Sequence, residues 1–336
     1  MTKSRVLLLH TGGTLGMAGG RPSALRPTEF FRTLKARVPE LFELATIELE
    51  LFENLDSCEM QPELWTRLAA HLFRRLPQFD GAVVTHGTDT MGYTASALSF
   101  LLPGLNRPIV LTGSQRPLAE IRTDARLNLI DAVTSALRGP REVTVCFDSH
   151  LYRGNRARKV KVAEFDAFES PNYPVLGVLG VETRFEKGLR PRGRFRLFGA
   201  LEPRVFLLEV FPGLDPGLAE AILPRVKGLV VSAYGAGTFP LSRQLGRSLL
   251  PLFRAAHAKQ IPVLVVSQAA RNAVDLSLYP SGAAALELGA ISGGDLTPAA
   301  ALVKLMHALG TFKGRALRTY LESDIAGERT KHLPTR

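Results

Sequence analysis

Short apolar runs alternate with helically spaced segments along the first half of the chain. Runs rich in Val, Leu and Ile at residues 5–10, 45–52, 81–85, 108–112 and 142–147 predict strands. The segments near 28–35, 61–75, 90–102 and 122–137 read as helices. In the last of these, Leu127, Ile130, Val133 and Leu137 recur at the spacing of one helix face. Apolar strands separated by helices predict an α/β fold: a mostly parallel sheet with helices on both faces. In such sheets the binding crevice opens at the carboxyl ends of strands.

The pattern breaks at Lys187-Gly-Leu-Arg-Pro-Arg-Gly-Arg-Phe-Arg, which is rich in Arg, Gly and Pro and has no period. Residues 187–206 read as a linker or a hairpin beside one. A second, smaller α/β pattern follows, with strands near 205–210, 228–233 and 262–267 and helices near 217–223, 243–258 and 297–309. The expected organisation is an N-terminal catalytic domain over 1–186, the linker 187–206, a C-terminal domain over 207–330 and a tail, 331–336. The polar stretch 327–336 is expected to fray.

Composition narrows this picture. The chain has 336 residues, 46% hydrophobic and 22% charged, the profile of a globular protein with room for two domains. No uncharged apolar run reaches membrane-spanning length. Val6-Leu7-Leu8-Leu9 is too short for a signal-peptide core, so it is expected to be a buried first strand and the protein cytoplasmic. The cysteines, Cys58 and Cys146, fit neither a disulfide framework nor a zinc spacing, and no metal or cofactor is expected. The formal net charge is +11, spread along the chain and mostly arginine. The densest basic group, Arg153, Arg156, Arg158, Lys159 and Lys161, has no interleaved aromatics to stack on bases, so a nucleic-acid partner is not expected. Attraction of an anionic substrate remains compatible with the charge.

Two glycine–threonine loops follow strands directly. The first is His10-Thr11-Gly12-Gly13-Thr14, which fits neither a Walker loop nor a dinucleotide fingerprint. The second is His86-Gly87-Thr88-Asp89-Thr90, which opens a helical run. Each reads either as a tight turn with a capping residue or as a site bearing a hydroxyl. Backbone N–H groups at the second helix start suit an anion or an oxyanion. A threonine hydroxyl needs a base to become a nucleophile, and a lysine with a lowered proton affinity can serve. Lys159 and Lys161 both lie after the fifth strand, and their position alone does not choose between them.

Four segments carry a resemblance to a known family. They are Thr11-Gly-Gly-Thr-Leu-Gly-Met, His86-Gly-Thr-Asp-Thr-Met-Gly-Tyr, Leu111-Thr-Gly-Ser-Gln-Arg-Pro-Leu and Leu151-Tyr-Arg-Gly-Asn-Arg. In this order they resemble the bacterial-type L-asparaginases, most closely the cytoplasmic (type I) branch. The resemblance implies hydrolysis of L-asparagine to L-aspartate and ammonia, without metal or cofactor, through a threonine nucleophile and an acyl-enzyme. By similarity, Thr14 is the nucleophile and Thr88 the second threonine, bonded to Lys159 as proton acceptor; Gly-Asn-Arg-x-x-Lys selects Lys159 over Lys161. Asp89 would bind the substrate α-ammonium. Ser57, with Asp56 and Gly87 alongside, would bind the α-carboxylate, and the Gly113–Ser114 loop the side-chain amide. The resemblance also implies a homodimer or homotetramer with sites between subunits.

The chain departs from the family's pattern in three places. Residues 18–27, the counterpart of a mobile loop that often carries a tyrosine activating the first threonine, contain no tyrosine. An intersubunit asparagine is replaced by Thr238. The threonine and cysteine of an allosteric asparagine site correspond to Arg158 and Ala269, so that regulation is not expected. Three other readings share the motifs: a glutaminase, a glutaminase subunit of a tRNA-dependent amidotransferase, and a homologue that binds an amino acid without turnover. The amidotransferase subunit usually has an extra N-terminal domain, whereas this chain begins at its first strand.

Overall fold

The computed structural model describes residues 3–17, 27–191, 193–242 and 244–330, residue 27 by its backbone alone. It divides into two compact units, Met1–Phe198 and Gly199–Arg336.

The strands of the first unit are β1 (Arg5–Gly12), β2 (Thr46–Leu55), β3 (Gly81–Thr85), β4 (Ile109–Thr112), β5 (Val143–Phe147), β6 (His150–Arg153), β7 (Arg158–Lys159), β8 (Phe168–Glu169), β9 (Gly177–Leu179) and β10 (Thr183–Phe185). Its helices are α1 (Pro27–Arg37), α2 (Glu40–Leu44), α3 (Pro62–Arg75), α4 (Met91–Leu101) and α5 (Ala125–Arg138). Among the described residues, eight strands form one sheet in the order β10-β9-β6-β5-β4-β3-β1-β2, and β7 pairs separately with β8. β2, β1, β3, β4 and β5 are mutually parallel. Alternation along β1 sends Val6 and Leu8 into a core with Phe30, Leu34, Leu41 and Leu129 of α1, α2 and α5. Leu7 and Leu9 are buried on the other face, where α3 and α4 pack together. The expected mostly parallel sheet covered on both faces is therefore found.

The order β2-β1-β3-β4 contains a reversal that matters for function. From β1 the chain crosses to β2 on one side, whereas from β3 it crosses to β4 on the other. Connections that diverge in this way leave a crevice at the strand carboxyl ends, here between β1 and β3. Register places those ends side by side: Gly12 lies opposite Leu55, His10 opposite Thr85, and Thr85 opposite Thr112.

The expectation missed the antiparallel additions to this sheet. β5 turns into β6 through Asp148 and Ser149, both left-handed, at φ 48° and 56°. That turn fits a tight hairpin, but it carries no glycine to signal it.

The second unit has β11 (Val205–Glu209), β12 (Gly228–Ala233), β13 (Val263–Ser267) and β14 (Ile291–Ser292), parallel and adjacent in that order. Its helices are α6 (Pro216–Ala221), α7 (Leu250–Ala258), α8 (Pro280–Glu287), α9 (Pro298–Thr311) and α10 (Gly314–Glu322). The helix expected over 243–258 is in fact the shorter α7, and Arg243 lies outside the described residues. Pro251 has no N–H for a preceding turn and so sits in the first turn of α7, while Gly246 takes a left-handed φ of 64°. The α6 helix likewise gives way to a one-turn helix containing Pro224. Within this unit, Lys304 of α9 and Glu328 form a fully buried ion pair at 2.6 Å. Glu328 also accepts from the Ile325 and Ala326 amides.

Candidate active site

The loop after β1 turns through Gly12 and Gly13, at φ 107° and 84°, into a one-turn helix, Thr14–Gly16. Gly13 is required by proximity as well as by φ. A Cβ there would sit 2.5 Å from the Gly87 nitrogen. Gly87 in turn abuts Ser57, whose Oγ would lie 2.6 Å from a Cβ on Gly87. The loops after β1 and β3 therefore touch through backbone, and the β3 loop meets the Ser57 side chain, where a Cβ on either glycine would collide. The Thr90 hydroxyl also donates to the Ser57 carbonyl at 2.7 Å, and the loop after β4 joins them where the Leu118 amide donates to the Leu15 carbonyl at 3.3 Å.

A buried relay fixes the β3 loop. Trp65 Nε1 of α3 donates to the Thr94 hydroxyl of α4 at 2.9 Å. Thr94 lies 2.9 Å from His86 Nε2, and His86 Nδ1 lies 2.7 Å from the Gly87 carbonyl. A carbonyl only accepts, so Nδ1 carries the proton, Nε2 accepts from Thr94, and the ring is neutral. Burial agrees, since it lowers the His86 pKa to about 4, the bond to Gly87 opposing in part. His10 at the end of β1 has the same character: burial lowers it to about 4, against a hydrogen bond with Asn54. Its ring stacks on Phe30, and its Nδ1 lies 2.7 Å from the Thr85 hydroxyl.

Lys159 reaches the site by a separate route. The chain leaves β6 through a one-turn helix, Gly154–Arg156, and the Ala157 carbonyl lies against Gly92 in the first turn of α4. The following strand, β7, delivers Lys159 to the start of that helix. Its Nζ donates to Thr88 Oγ1 and to Asp89 Oδ1, each at 2.7 Å. The lysine side chain is largely buried, whereas the Asp89 side chain is 69% exposed and so open to a ligand. Lys161 points elsewhere, pairing with Asp166 at 2.5 Å and Glu164 at 2.8 Å, which raise its pKa.

Of the other expected residues, Ser57 is buried, and Asp56 caps the turn Ser57–Glu59 by accepting from the Cys58 amide at 3.1 Å. Ser114 is buried after β4 and donates to the Arg116 carbonyl at 2.6 Å. Thr14 stands half-buried at the head of its turn. Residues 18–26 of the expected lid lie outside the described residues, as do Arg192 and the tail 331–336. Thr238 closes a turn on the Tyr234 carbonyl within the second unit.

The sequence reasoning missed the framework of the β4 loop. Asp124 accepts from the Gln115 and Arg116 amides; its burial raises its pKa, which these bonds partly offset. Asn128 donates to the Gly113 carbonyl at 3.0 Å and accepts from the Asp148 amide at 3.0 Å. A polar Asp124 and Asn128 four apart on a helix, just after a Gly-Ser loop, are the signal that was available.

The arrangement combines a hydroxyl, a lysine and an exposed carboxylate with a second hydroxyl on an abutting loop. Likeness to known proteins extends over nearly the whole chain. Residues 5–190 match the family described as Asparaginase, N-terminal, and residues 204–319 match the Glutaminase/Asparaginase C-terminal domain. The chain belongs to the asparaginase family. It is thus an amidohydrolase by descent, with the family's resemblance read from its motifs upheld. The L-asparaginase of Thermococcus kodakarensis is 38% identical, over 97% of this chain and 99% of that one. The solved structure of the thermostable L-asparaginase from that organism superposes with a TM-score of 0.88 at 35% identity, covering 98% of this chain and 100% of its own. L-asparaginase 1 of Escherichia coli strain K12 is 33% identical, over 98% of this chain and 99% of the relative. The family also takes in a glutamyl-tRNA(Gln) amidotransferase subunit from Methanobrevibacter smithii, 33% identical over 97% of this chain and 77% of that protein.

Proposed function

We propose that this chain is an L-asparaginase, hydrolysing L-asparagine to L-aspartate and ammonia through a threonine-bound acyl intermediate. The observation that carries the reading is the bonding of Lys159 to both Thr88 and Asp89 beside the turn that bears Thr14. In this reading the Thr14 oxygen attacks the side-chain amide carbon. A proton passes to the Thr88–Lys159 pair, and the leaving nitrogen takes up a proton to depart as ammonia. Water then cleaves the acyl-threonine ester and restores the Thr14 hydroxyl. The exposed Asp89 carboxylate receives the substrate ammonium; Ser57, Asp56 and Gly87 receive its carboxylate; the Ser114 loop receives the amide. Loop N–H groups stabilise the oxyanion. We further infer a cytoplasmic homo-oligomer, as the type I resemblance implies.

The full-length likeness to an amidotransferase subunit keeps glutamine as the second candidate. Ammonia release from asparagine, glutamine and glutamine with glutamyl-tRNA separates the two. The expected outcome is turnover of asparagine, lost in Thr14→Ala and Thr88→Ala proteins that retain wild-type melting curves. Lys159→Met is expected to be nearly inactive and Lys161→Met active. Substantial activity in Lys159→Met, or a wild type that binds aspartate yet releases no ammonia, removes the proposal.

A further inference from the structure

Gln115 lies between the threonine loop and the hairpin that carries Lys159. Its Nε2 donates to the Val162 carbonyl at 2.9 Å and to the Glu164 carbonyl at 3.0 Å. Both partners only accept, so the amide cannot flip, and Oε1 must face Thr88. The Gln115 amide nitrogen is itself held by the Asp124 carboxylate at 2.9 Å, so the residue is fixed at both ends. Thr88 Oγ1 accepts a hydrogen bond from Lys159 Nζ at 2.7 Å and directs its own hydroxyl hydrogen toward Gln115 Oε1 at 3.5 Å. That distance is long for O–H···O, so the contact biases the hydroxyl without locking it.

We propose that Gln115 is a positioning residue that sets the direction of the Thr88–Lys159 relay. The proposal rests on the asparaginase reading for its catalytic meaning, but its physical content concerns the relay alone. The Asp89 carboxylate, 2.7 Å from Nζ, already favours the ammonium form of the lysine; with Oε1 accepting, the Thr88 lone pairs also face Nζ and add to that preference. When the lysine is neutral, its lone pair can accept, and the hydroxyl can then rotate to donate to Nζ and abandon Gln115. Gln115 thus weights the two states against each other, and through its two carbonyl contacts it holds the Lys159 hairpin at the right reach.

Two substitutions both give up the bonds to the Val162 and Glu164 carbonyls, and the opposite signs expected of them separate the acceptor's effect from that shared loss. In Gln115→Met the acceptor is gone, the hydroxyl loses its alternative partner, and the ammonium form is disfavoured. In Gln115→Glu a negative charge lies within about 6 Å of Nζ and favours the ammonium form. The experiment follows the ε-carbon of Lys159 by NMR in protein labelled at lysine, assigned by difference from Lys159→Arg, across a pH titration. In parallel, kcat and KM for asparagine are measured over the same range. The titration midpoint is expected to fall by roughly half a pH unit in Gln115→Met and to rise by roughly one unit in Gln115→Glu. The acid limb of kcat is expected to move with each midpoint, and KM to change less than about twofold. Midpoints that stay fixed, or that move the same way in both variants, overturn the proposal. The NMR arm stands without turnover: midpoints that move as expected in a protein inactive on asparagine would sink the asparaginase reading and leave the orienting role of Gln115 intact.

Discussion

Replacing Thr94 by valine tests the relay beneath the β3 loop. Valine keeps nearly the same volume, so little cavity arises and the loss is that of the hydroxyl. Two buried groups then lose their partners: the Trp65 indole N–H, and His86 Nε2 in a ring that is 1% exposed. Stranding one such group costs about 1–3 kcal/mol, which puts Thr94→Val at roughly 2–6 kcal/mol. Thr94→Ser keeps the hydroxyl, gives up one methyl, and should cost about 1 kcal/mol. Trp65 is the single tryptophan of the chain and sits at the break, so its fluorescence in a urea titration reports the first unit directly. The valine variant should unfold at clearly lower urea, with a shifted native emission from the freed indole. Its kcat should also fall, because the Gly87 carbonyl is held by His86. A valine cost below about 1 kcal/mol, or one equal to that of serine, would refute the relay.

Two further outcomes follow from buried charge. His10 and His86 titrate near 4 in the fold and near 6.5 when unfolded, so the unfolded chain binds more protons between those values. Stability should therefore be fully present above pH 6.5 and fall as pH drops toward 4, by up to about 3 kcal/mol for each ring, in melts across that range. Burial raises Asp131 to about 6, which acts in the opposite sense; Asp131→Asn should steepen the acid loss. In the second unit, Lys304→Met leaves the buried Glu328 without its cation, held by the Ile325 and Ala326 amides, and should cost about 3–5 kcal/mol by denaturant melts, with Glu328→Gln added in the double variant recovering part of it.

The fold was legible where local pattern and tertiary burial agree. The Val and Leu runs of β1, β3, β4 and β5 are apolar on both faces because both faces are covered. Strands β6, β9 and β10 are too short for a period to register, and the left-handed Asp148–Ser149 turn hides behind two polar residues. Helix 243–258 was overdrawn because its apolar spacing continues across Pro251, whose missing N–H outweighs it. In the site, each threonine loop was visible alone, but their contact depends on strand order, which local pattern does not encode. The Trp65–Thr94–His86 relay joins residues from a helix, a second helix and a strand end; only packing brings them together. The lysine choice came from motif likeness, and the geometry then showed which lysine reaches Thr88.

The contact of Gly13 with Gly87, and of Gly87 with Ser57, has a consequence for engineering. Three loops packed this closely through their glycines form one inherited unit, because neither glycine position leaves room to absorb a neighbour's change. Grafting the Thr14 loop from another relative onto this sheet should fail unless its two neighbours travel with it. The β4 loop meets this trio through backbone as well: a Cβ on Gly113 would sit 2.3 Å from the His86 carbonyl oxygen, and the Leu118 amide donates to the Leu15 carbonyl. Exchange of its Gly113 end alone should therefore fail in the same way as a graft of the Thr14 loop.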